Sequence, residues 1–267
     1  MTVPSVLSIA GSDPSGGAGI QADLKTASAL GAYGMAVITA LTAQNTQTVA
    51  GVHEVPAGFV ALQIDTIFAD ITPDAVKTGM LASAAIIEVV AAKAAEHSFR
   101  NLVVDTVMVA KSGDRLLRED AVQAMRQKLV PLAHVLTPNL PEAEVLLGRE
   151  LRSDDDIREA ARELGAMGAR NVVIKGGHRE GGTVTDVLFD GEAFHDFSGP
   201  RIETTSTHGT GCTFASAIAT FLARGEPVPE AVGQAKEYLT EALRRVFPVG
   251  GGHGPVNHFW AQRHERS

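Results

Sequence analysis

The sequence predicts an α/β protein, built as a three-layer α/β/α sandwich around a mostly parallel central sheet. Short β-branched runs alternate along the chain with stretches whose apolar residues recur at helical spacing. Such alternation is typical of parallel sheets that helices cover on both faces. No internal repeat and no linker-like stretch interrupts the pattern, so we expect one domain over residues 1–267.

Each predicted strand in the first half of the chain is a short apolar run. These runs cover residues 6–10, 35–40, 75–77 and 101–105. A glycine-rich turn at residues 11–19 follows the first strand and leads into a predicted helix. Apolar residues at helical spacing predict three helices: Ile20, Leu24 and Ala27 in the first; Val60, Ile64, Ile67 and Phe68 in the second; Ile86, Ile87, Val89, Val90 and Ala94 in the third.

The second half continues the alternation and adds a hairpin. Ser153 and Asp156 match a capping box that starts a helix, and Gly168 ends that helix. Asp190-Gly191 between two apolar runs indicates a β-hairpin. The remaining predicted elements are helices at residues 119–129, 209–223 and 229–247 and strands at residues 133–137 and 171–175.

Net charge and cysteine content exclude some binding partners and indicate the compartment of the protein. The formal charge of −8 argues against a nucleic-acid groove or an anionic membrane surface. Cys212 is the one cysteine, which excludes an internal disulfide and fits a reducing compartment. The sequence shows neither a leader pattern nor an apolar run long enough to span a membrane, so we expect a cytoplasmic protein.

The glycine-rich turn at residues 11–19 is a candidate binding loop, because glycine lets backbone N–H groups approach a ligand closely. It is not a P-loop, since no Gly-Lys-Ser/Thr follows. Residues 17–22 match a loose dinucleotide fingerprint, but the acidic residue that this fingerprint requires at the end of the second strand is missing. A tight turn without a ligand remains the alternative.

Two further candidates follow predicted strands. Asn139 and Glu142 are an amide and a carboxylate of the kind that holds hydrated Mg²⁺ near phosphates, and they equally match the start of a helix. Lys175 ends a strand before Gly176-Gly177 and can neutralise phosphate charge, although a solvated lysine is the alternative. Asp105 ends another strand, where it could bind a metal or a proton or cap a turn.

The motif Gly-Thr-Gly-Cys at residues 209–212 opens a predicted helix. Backbone N–H groups at a helix N-terminus bind anions, so residues 209–211 form a candidate anion hole. The same field lowers the pKa of a thiol, so we expect Cys212 to be a thiolate near neutral pH. A buried apolar filler is the alternative for a lone cysteine.

Taken together, these motifs resemble the hydroxymethylpyrimidine/phosphomethylpyrimidine kinases of thiamine biosynthesis, which belong to the ribokinase-like superfamily. The resemblance runs along nearly the whole chain. It is carried by the segments at residues 8–25, 43–46, 77–80, 105–108, 137–142, 208–213 and 252–259. Thr106 is one departure, because the family often has proline at this position.

The resemblance implies phosphoryl transfer from ATP, with Mg²⁺, to 4-amino-5-hydroxymethyl-2-methylpyrimidine and then to its monophosphate. It implies that Gln44 reads the aminopyrimidine edge, since an amide donates and accepts hydrogen bonds at once. The other substrate-site residues that it implies are Gly11, Ala18, Asp23, Met80 and Val107.

The resemblance also assigns the phosphate end of the site. Gly209, Thr210 and Gly211 would stabilise the phosphoryl group in transfer, and Cys212 would accept the proton of the substrate hydroxyl. Glu142 and Asp105 resemble the family's magnesium set, while Asn139, Lys175 and Lys236 resemble its ATP ligands. The family also implies a homodimer.

Four rival functions stay open at this point. One is a kinase of the free alcohol alone, with no second phosphorylation step. A pyridoxal kinase shares the superfamily and the Gly-Thr-Gly motif, but the segments at residues 43–46 and 77–80 favour a pyrimidine. An NAD-dependent oxidoreductase depends only on residues 17–22. A ligand sensor without catalysis is expected to lose Cys212 or Glu142, and this chain has both.

Overall fold

The computed structural model describes residues 3–108, 118–178 and 181–262. In this part of the chain, nine strands form one sheet with helices on both faces. The strands are β1 Ser5–Ser12, β2 Tyr33–Gln44, β3 Val49–Glu54, β4 Ala75–Thr78, β5 Leu102–Val104, β6 Val135–Leu136, β7 Asn171–Ile174, β8 Thr183–Phe189 and β9 Phe194–Pro200. The α-helices are α1 Gly19–Ala29, α2 Ala57–Phe68, α3 Ala84–Glu96, α4 Glu119–Ala124, α5 Leu140–Leu147, α6 Asp154–Ala166, α7 Thr210–Ala223 and α8 Val228–Arg244.

The sheet is parallel in its centre and antiparallel at both edges. Its order is β3-β2-β1-β4-β5-β6-β7-β8-β9, and the six strands from β2 to β7 in this order run parallel. β3 pairs antiparallel with β2, and β8 and β9 form the hairpin predicted around Asp190-Gly191. Because β1 lies between β2 and β4, the chain changes direction across the sheet here, which is where open α/β sheets bind ligands.

Alternating side chains of the strands supply the two cores. Leu7, Val104 and Leu136 point to the face that α2 to α6 cover. Val103, Val135 and Val173 point to the opposite face, where α1, α7 and α8 pack. The predicted three-layer α/β/α sandwich with a mostly parallel sheet is confirmed, since strands buried on both faces need helices on each side.

Two details differ from the prediction. The exposed edge strand β3 was not predicted, because every one of its residues faces solvent and no apolar alternation marks it. The helix predicted at residues 119–129 is α-helical only over α4; it continues as a π-helical turn at Met125–Leu129 and a 3₁₀ turn at Val130–Leu132. Pro131 in that last turn explains why the α-helix does not continue.

Helix length bears on membrane insertion. Among the residues that the structure describes, no helix is both long enough and apolar enough to span a bilayer.

Candidate active site

The carboxyl ends of the parallel strands bring several predicted residues to one edge of the sheet. Lys77 lies at the end of β4, Asp105 directly follows β5, and Asn139 pairs with Lys175 through an isolated bridge beyond β6 and β7. The N-terminus of α7 lies next to these residues. A Cβ added to Gly211 would lie 3.6 Å from Lys175 Nζ and 3.7 Å from Asp105 Oδ2. The predicted anion hole therefore faces the predicted cation and acid cluster directly.

Asp105, Lys175 and Glu142 form that cluster. Lys175 Nζ lies 3.0 Å from Asp105 Oδ1 and 3.9 Å from Glu142 Oε2. Burial opposes charge on Lys175, but the two carboxylates outweigh it and raise the pKa of the lysine. Burial raises the pKa of Glu142 to about 7; the Lys175 ammonium opposes this rise and the Asp105 carboxylate adds to it. The cluster thus holds two carboxyl groups beside one ammonium group, all of them largely buried.

Asp105 has an unsatisfied oxygen that fits a metal ion. Its carboxylate is 1% exposed, and among the described residues its Oδ2 has no hydrogen-bond partner. A buried carboxylate oxygen without a partner is costly unless a cation or donor meets it. Mg²⁺ prefers one or two carboxylates and retains water ligands, which suits the Asp105 and Glu142 pair.

Asn139 and Glu142 start α5, which confirms the helix-start interpretation of this pair, while its magnesium role stays a prediction. Glu142 N donates to Asn139 Oδ1 at 2.9 Å, and Asn139 N donates to Glu142 Oε2 at 2.8 Å. This capping box commits the Asn139 side-chain oxygen to the helix. The Thr106 hydroxyl donates to the same Glu142 Oε2 at 3.1 Å, a bond that the proline common in the family cannot make. The departure at Thr106 therefore adds a donor to the acid cluster.

The candidate anion hole at residues 209–211 lies where two glycine-containing loops make contact. Gly209 precedes α7 with φ 78°, in the left-handed region. A Cβ there would lie only 1.8 Å from Gly17 O, so the loop at residues 11–19 packs directly on the start of α7. The first-turn N–H groups of a helix have no partner within the helix and point outward from its N-terminus. This contact sets where those N–H groups point.

Cys212 is half-buried in the first turn of α7. Burial raises the pKa of its thiol to about 11; the Lys77 ammonium opposes the rise, and the Asp23 and Asp105 carboxylates add to it. The prediction of a thiolate near neutral pH is therefore wrong for this structure. Sequence spacing showed the helix N-terminus, but it could not show two acids beside the sulfur.

Asp23 is buried, and both of its carboxylate oxygens are paired with other side chains. Its carboxylate is 3% exposed and lies 2.9 Å from the Nζ of Lys77, which is fully buried. The Ser8 and Ser216 hydroxyls donate to its two oxygens, each at 2.6 Å. The prediction of Asp23 among the substrate-site residues is not supported by this placement, because these donors and Lys77 occupy both oxygens. Lys77, the buried cation beside Cys212, was not among the predicted site residues.

The predicted substrate end forms a second group of residues. A Cβ on Gly11 would lie 2.5 Å from Met80 Cε, so the methionine side chain covers this glycine. Ala18 follows in the same loop, and its N–H donates to Asp13 Oδ2 at 2.9 Å. Gln44 ends β2 beside His208, the residue before the anion hole. Met80 and Gln44 therefore lie beside the loop at residues 11–19, which contains Gly11 and Ala18.

Val107 and Lys236 lie outside both the Asp105 cluster and the group around Gln44. Val107 N donates to Asp105 O at 3.0 Å, which places this residue beside the acid cluster. Lys236 on α8 forms an ion pair with Asp186 Oδ2 at 2.8 Å, and Asp186 Oδ1 accepts from Gly176 N at 2.8 Å. Lys236 thus supports the turn that follows Lys175 and is separate from the Asp105 cluster.

The segment at residues 252–259 contacts both the loop after Gln44 and the first turn of α7. Gly252 N donates to Thr46 Oγ1 at 3.2 Å, and His253 N donates to Thr46 O at 2.8 Å, in the loop after Gln44. His258 Nε2 lies 3.1 Å from Thr213 Oγ1, next to Cys212. This segment therefore packs on the Gln44 loop and on the first turn of α7 together.

Comparison with known proteins gives concordant matches. A family model described as phosphomethylpyrimidine kinase matches residues 13–257. The chain is 58% identical over 257 residues to the thiamine biosynthesis bifunctional protein ThiED of Geobacter sulfurreducens, covering 96% of this chain and 52% of that protein. It therefore spans about half the length of that relative.

Two further matches cover nearly the whole length of this chain and of the matched protein. The chain is 48% identical over 264 residues to a hydroxymethylpyrimidine/phosphomethylpyrimidine kinase of Bacillus subtilis, covering 98% of this chain and 97% of the relative. The solved ADP complex of Bacillus subtilis pyridoxal kinase superimposes with a TM-score of 0.90 at 41% identity, covering 98% of this chain and 99% of the other.

Proposed function

The chain belongs to the phosphomethylpyrimidine kinase family, and we propose that it phosphorylates 4-amino-5-hydroxymethyl-2-methylpyrimidine and then the resulting monophosphate, in thiamine biosynthesis. ATP is the phosphoryl donor in both steps. One observation carries the proposal: the Gly-Thr-Gly start of α7 faces the Lys175, Asp105 and Glu142 cluster at the ends of the parallel strands. Phosphoryl transfer requires such an arrangement of anion-binding N–H groups, a lysine and metal-binding carboxylates.

Mg²⁺ would be held by Asp105 and Glu142, and when bound it neutralises charge on the ATP phosphates. The unpartnered Asp105 Oδ2 supports this assignment. Lys175 neutralises phosphate charge from the protein side, and Asn139, next to it through the isolated bridge, contributes its side-chain NH₂ group. Lys236 acts on ATP through the turn after Lys175.

Cys212 serves as the base that accepts the proton of the substrate hydroxyl. The hydroxyl oxygen attacks the terminal phosphorus of ATP, the bond to ADP breaks, and the proton passes to the Cys212 sulfur. A thiol whose pKa is raised to about 11 is protonated near neutral pH, so this step requires the minor fraction of Cys212 that is a thiolate. The thiolate needed for this step depends on the Lys77 ammonium, which opposes that rise.

Gln44 reads the aminopyrimidine edge, and Met80 covers one face of the ring. Gly11, Ala18 and Val107 complete the pocket. Asp23 contributes through Lys77, since its own oxygens are occupied. In this proposal the hydroxymethyl group of the ring lies between Gln44 and the start of α7.

Pyridoxal is the second candidate substrate. The likeness to the Bacillus subtilis pyridoxal kinase, at 41% identity and a TM-score of 0.90, supports a side activity on it. The names of the sequence relatives favour the pyrimidine as the main substrate.

The wider assignments are proposals of the same kind. A homodimer is supported by exposed apolar side chains on and beside the edge strand β3, among them Leu41, Val49, Val52, Phe59 and Leu62. The single sheet supports one kinase domain over residues 1–267. The free thiol of Cys212 supports a cytoplasmic location.

The test is the initial rate of ADP release from Mg-ATP with three acceptors in parallel: the hydroxymethylpyrimidine, its monophosphate and pyridoxal. We expect turnover of both pyrimidines, a lower rate with pyridoxal, and loss of all three rates in EDTA that Mg²⁺ restores. Turnover of pyridoxal alone contradicts the pyrimidine assignment, and rates that survive EDTA contradict the metal role of Asp105 and Glu142.

A further inference from the structure

The Gln44 amide lies between two groups that decide its orientation. Its Oε1 is 3.2 Å from Thr42 Oγ1, and its Nε2 is 3.4 Å from His208 Nε2. A half-turn of a side-chain amide exchanges its oxygen and its NH₂ group without changing the space that it fills. The donors and acceptors around Gln44 therefore determine which orientation is stable.

On one side of Gln44, the facing atom is a donor. His208 Nε2 lies 2.8 Å from Asp13 Oδ2, and a carboxylate only accepts hydrogen bonds, so this ring nitrogen carries a proton. Asp13 is well suited to hold it as an anion. Its oxygens also accept from the backbone N–H groups of Ser15, Gly17 and Ala18, and its pKa is lowered to about 2, since the hydrogen bonds from His208 and Ser15 outweigh burial. Since this N–H is directed to Asp13, His208 Nε2 has no lone pair with which to accept from the Gln44 NH₂ group, and this side of the amide favours the oxygen.

On the other side, the facing atom is an acceptor. The Thr42 hydroxyl has one proton, and Ser12 O, which can only accept, lies 3.0 Å away. That proton cannot serve both Ser12 O and Gln44 Oε1, so one acceptor stays unpaired when the amide oxygen faces Thr42, whereas both hydrogen bonds form when the NH₂ group faces Thr42. Thr42 therefore favours the NH₂ group of Gln44.

We propose that Asp13, His208 and Thr42 are positioning residues for substrate specificity, which lock the Gln44 amide with its oxygen toward His208 and its NH₂ group toward Thr42. The locked amide of Gln44 then has one N–H and one oxygen lone pair left for a ligand. This orientation matches an aminopyrimidine edge, whose ring nitrogen accepts from the N–H and whose exocyclic amine donates to the oxygen. An oxopyrimidine edge, with a ring N–H and a carbonyl, would need the amide turned the other way. The proposal rests on the proposed function, in which Gln44 reads the pyrimidine.

The lock also sets the pose of the substrate. Since the Gln44 oxygen lies on the His208 side, the exocyclic amine is directed toward His208, and the ring nitrogen is directed toward Thr42. A 4-oxo analogue of the hydroxymethylpyrimidine presents the reversed pattern at nearly the same size. It is therefore the appropriate probe for the orientation of the amide.

The first experiment compares kcat/KM for the 4-amino substrate and the 4-oxo analogue. The wild type is expected to prefer the amine by about a hundredfold or more, because the wrong edge leaves the Gln44 amide groups unpaired once the substrate covers them. Thr42→Val removes the acceptor and is expected to lower this ratio by at least about tenfold, mainly through KM, while Thr42→Ser restores it. Thr66→Val, which removes a remote hydroxyl bonded to Leu62 O on α2, is the matched control. A Thr42→Val enzyme with the wild-type ratio overturns the proposal.

The second experiment does not depend on substrate. In protein labelled with ¹⁵N at glutamine, with Gln44→Ala to assign the resonance, the Gln44 amide protons are expected to show cross-peaks to Thr42 side-chain protons. Cross-peaks to the His208 ring protons instead overturn the lock. If the lock is observed but neither pyrimidine is phosphorylated, the proposed function fails, and the specificity role fails with it.

Discussion

At the scale of the residue, Cys212 illustrates how burial and neighbouring charge set chemistry. Its place in the first turn of α7 suggested a thiolate, yet burial beside Asp23 and Asp105 raises its pKa to about 11. The Lys77 ammonium opposes this rise, and an ion pair with Asp23 holds Lys77 in place. The protonation state of Cys212, the proposed base, is therefore set by residues far from it in the sequence.

Removing the thiol tests this role. Cys212→Ala is expected to lower kcat by about 10²–10⁴ while KM for the pyrimidine changes little, because a base acts in the transition state. Steady-state kinetics with the hydroxymethylpyrimidine measure the split, and thermal unfolding checks that the variant is folded. An unchanged kcat would remove Cys212 from the mechanism.

His258 makes stability depend on pH. Burial lowers the pKa of this imidazole from 6.5 to about 4, and Lys25 adds to the effect. As pH falls below 6.5, the unfolded chain binds the proton first, so the folded state loses stability down to about pH 4. We expect wild type to lose about 2 kcal/mol more free energy of unfolding than His258→Gln between about pH 7.5 and 5.

Urea unfolding at the two pH values measures this difference. His53→Gln, at an exposed site on β3, is the control and should follow the wild type. Equal losses in wild type and His258→Gln would show that the buried imidazole is not responsible.

At the scale of the element, the two ends of α7 carry glycines with similar backbone but different surroundings. Gly209 has φ 78° and a Cβ there would lie 1.8 Å from Gly17 O, whereas Gly225 has φ 89° and nothing within 4 Å. Gly225→Ala is therefore expected to cost only the backbone strain, about 1–2 kcal/mol, with activity retained. Gly209→Ala is expected to displace the loop at residues 11–19 and to lose most of the activity.

Chemical unfolding and ADP release, measured on both variants, separate strain from displacement. The interpretation of the anion hole is contradicted if Gly209→Ala and Gly225→Ala keep equal activity.

Most elements could be predicted because their patterns are local. The buried runs that became β1, β4 and β5 are apolar on both faces, and the capping box at Ser153 marks the start of α6. β3 could not be predicted, since its six residues are all exposed and only its pairing with β2 makes it a strand. The π-helical turn after α4 likewise depends on packing rather than on sequence pattern.

At the scale of the whole molecule, the sheet decides which distant residues meet. The sequence placed Asp105, Asn139 and Lys175 at strand ends, and the parallel order of β5, β6 and β7 joins them. The motifs at residues 8–25 and 208–213 predicted the family, and the family match confirms that prediction. The Asp23–Lys77 pair and the contact of Asp13 with His208 join segments that no local pattern connects, so they were missed.

The central claim is that this site transfers phosphoryl groups from ATP to an aminopyrimidine twice. The most direct measurement is a ³¹P NMR time course with Mg-ATP and 4-amino-5-hydroxymethyl-2-methylpyrimidine. We predict that the monophosphate forms first and is then converted to the diphosphate, with one ADP released for each step. A time course in which ATP is present but no phosphorylated pyrimidine forms would contradict the claim.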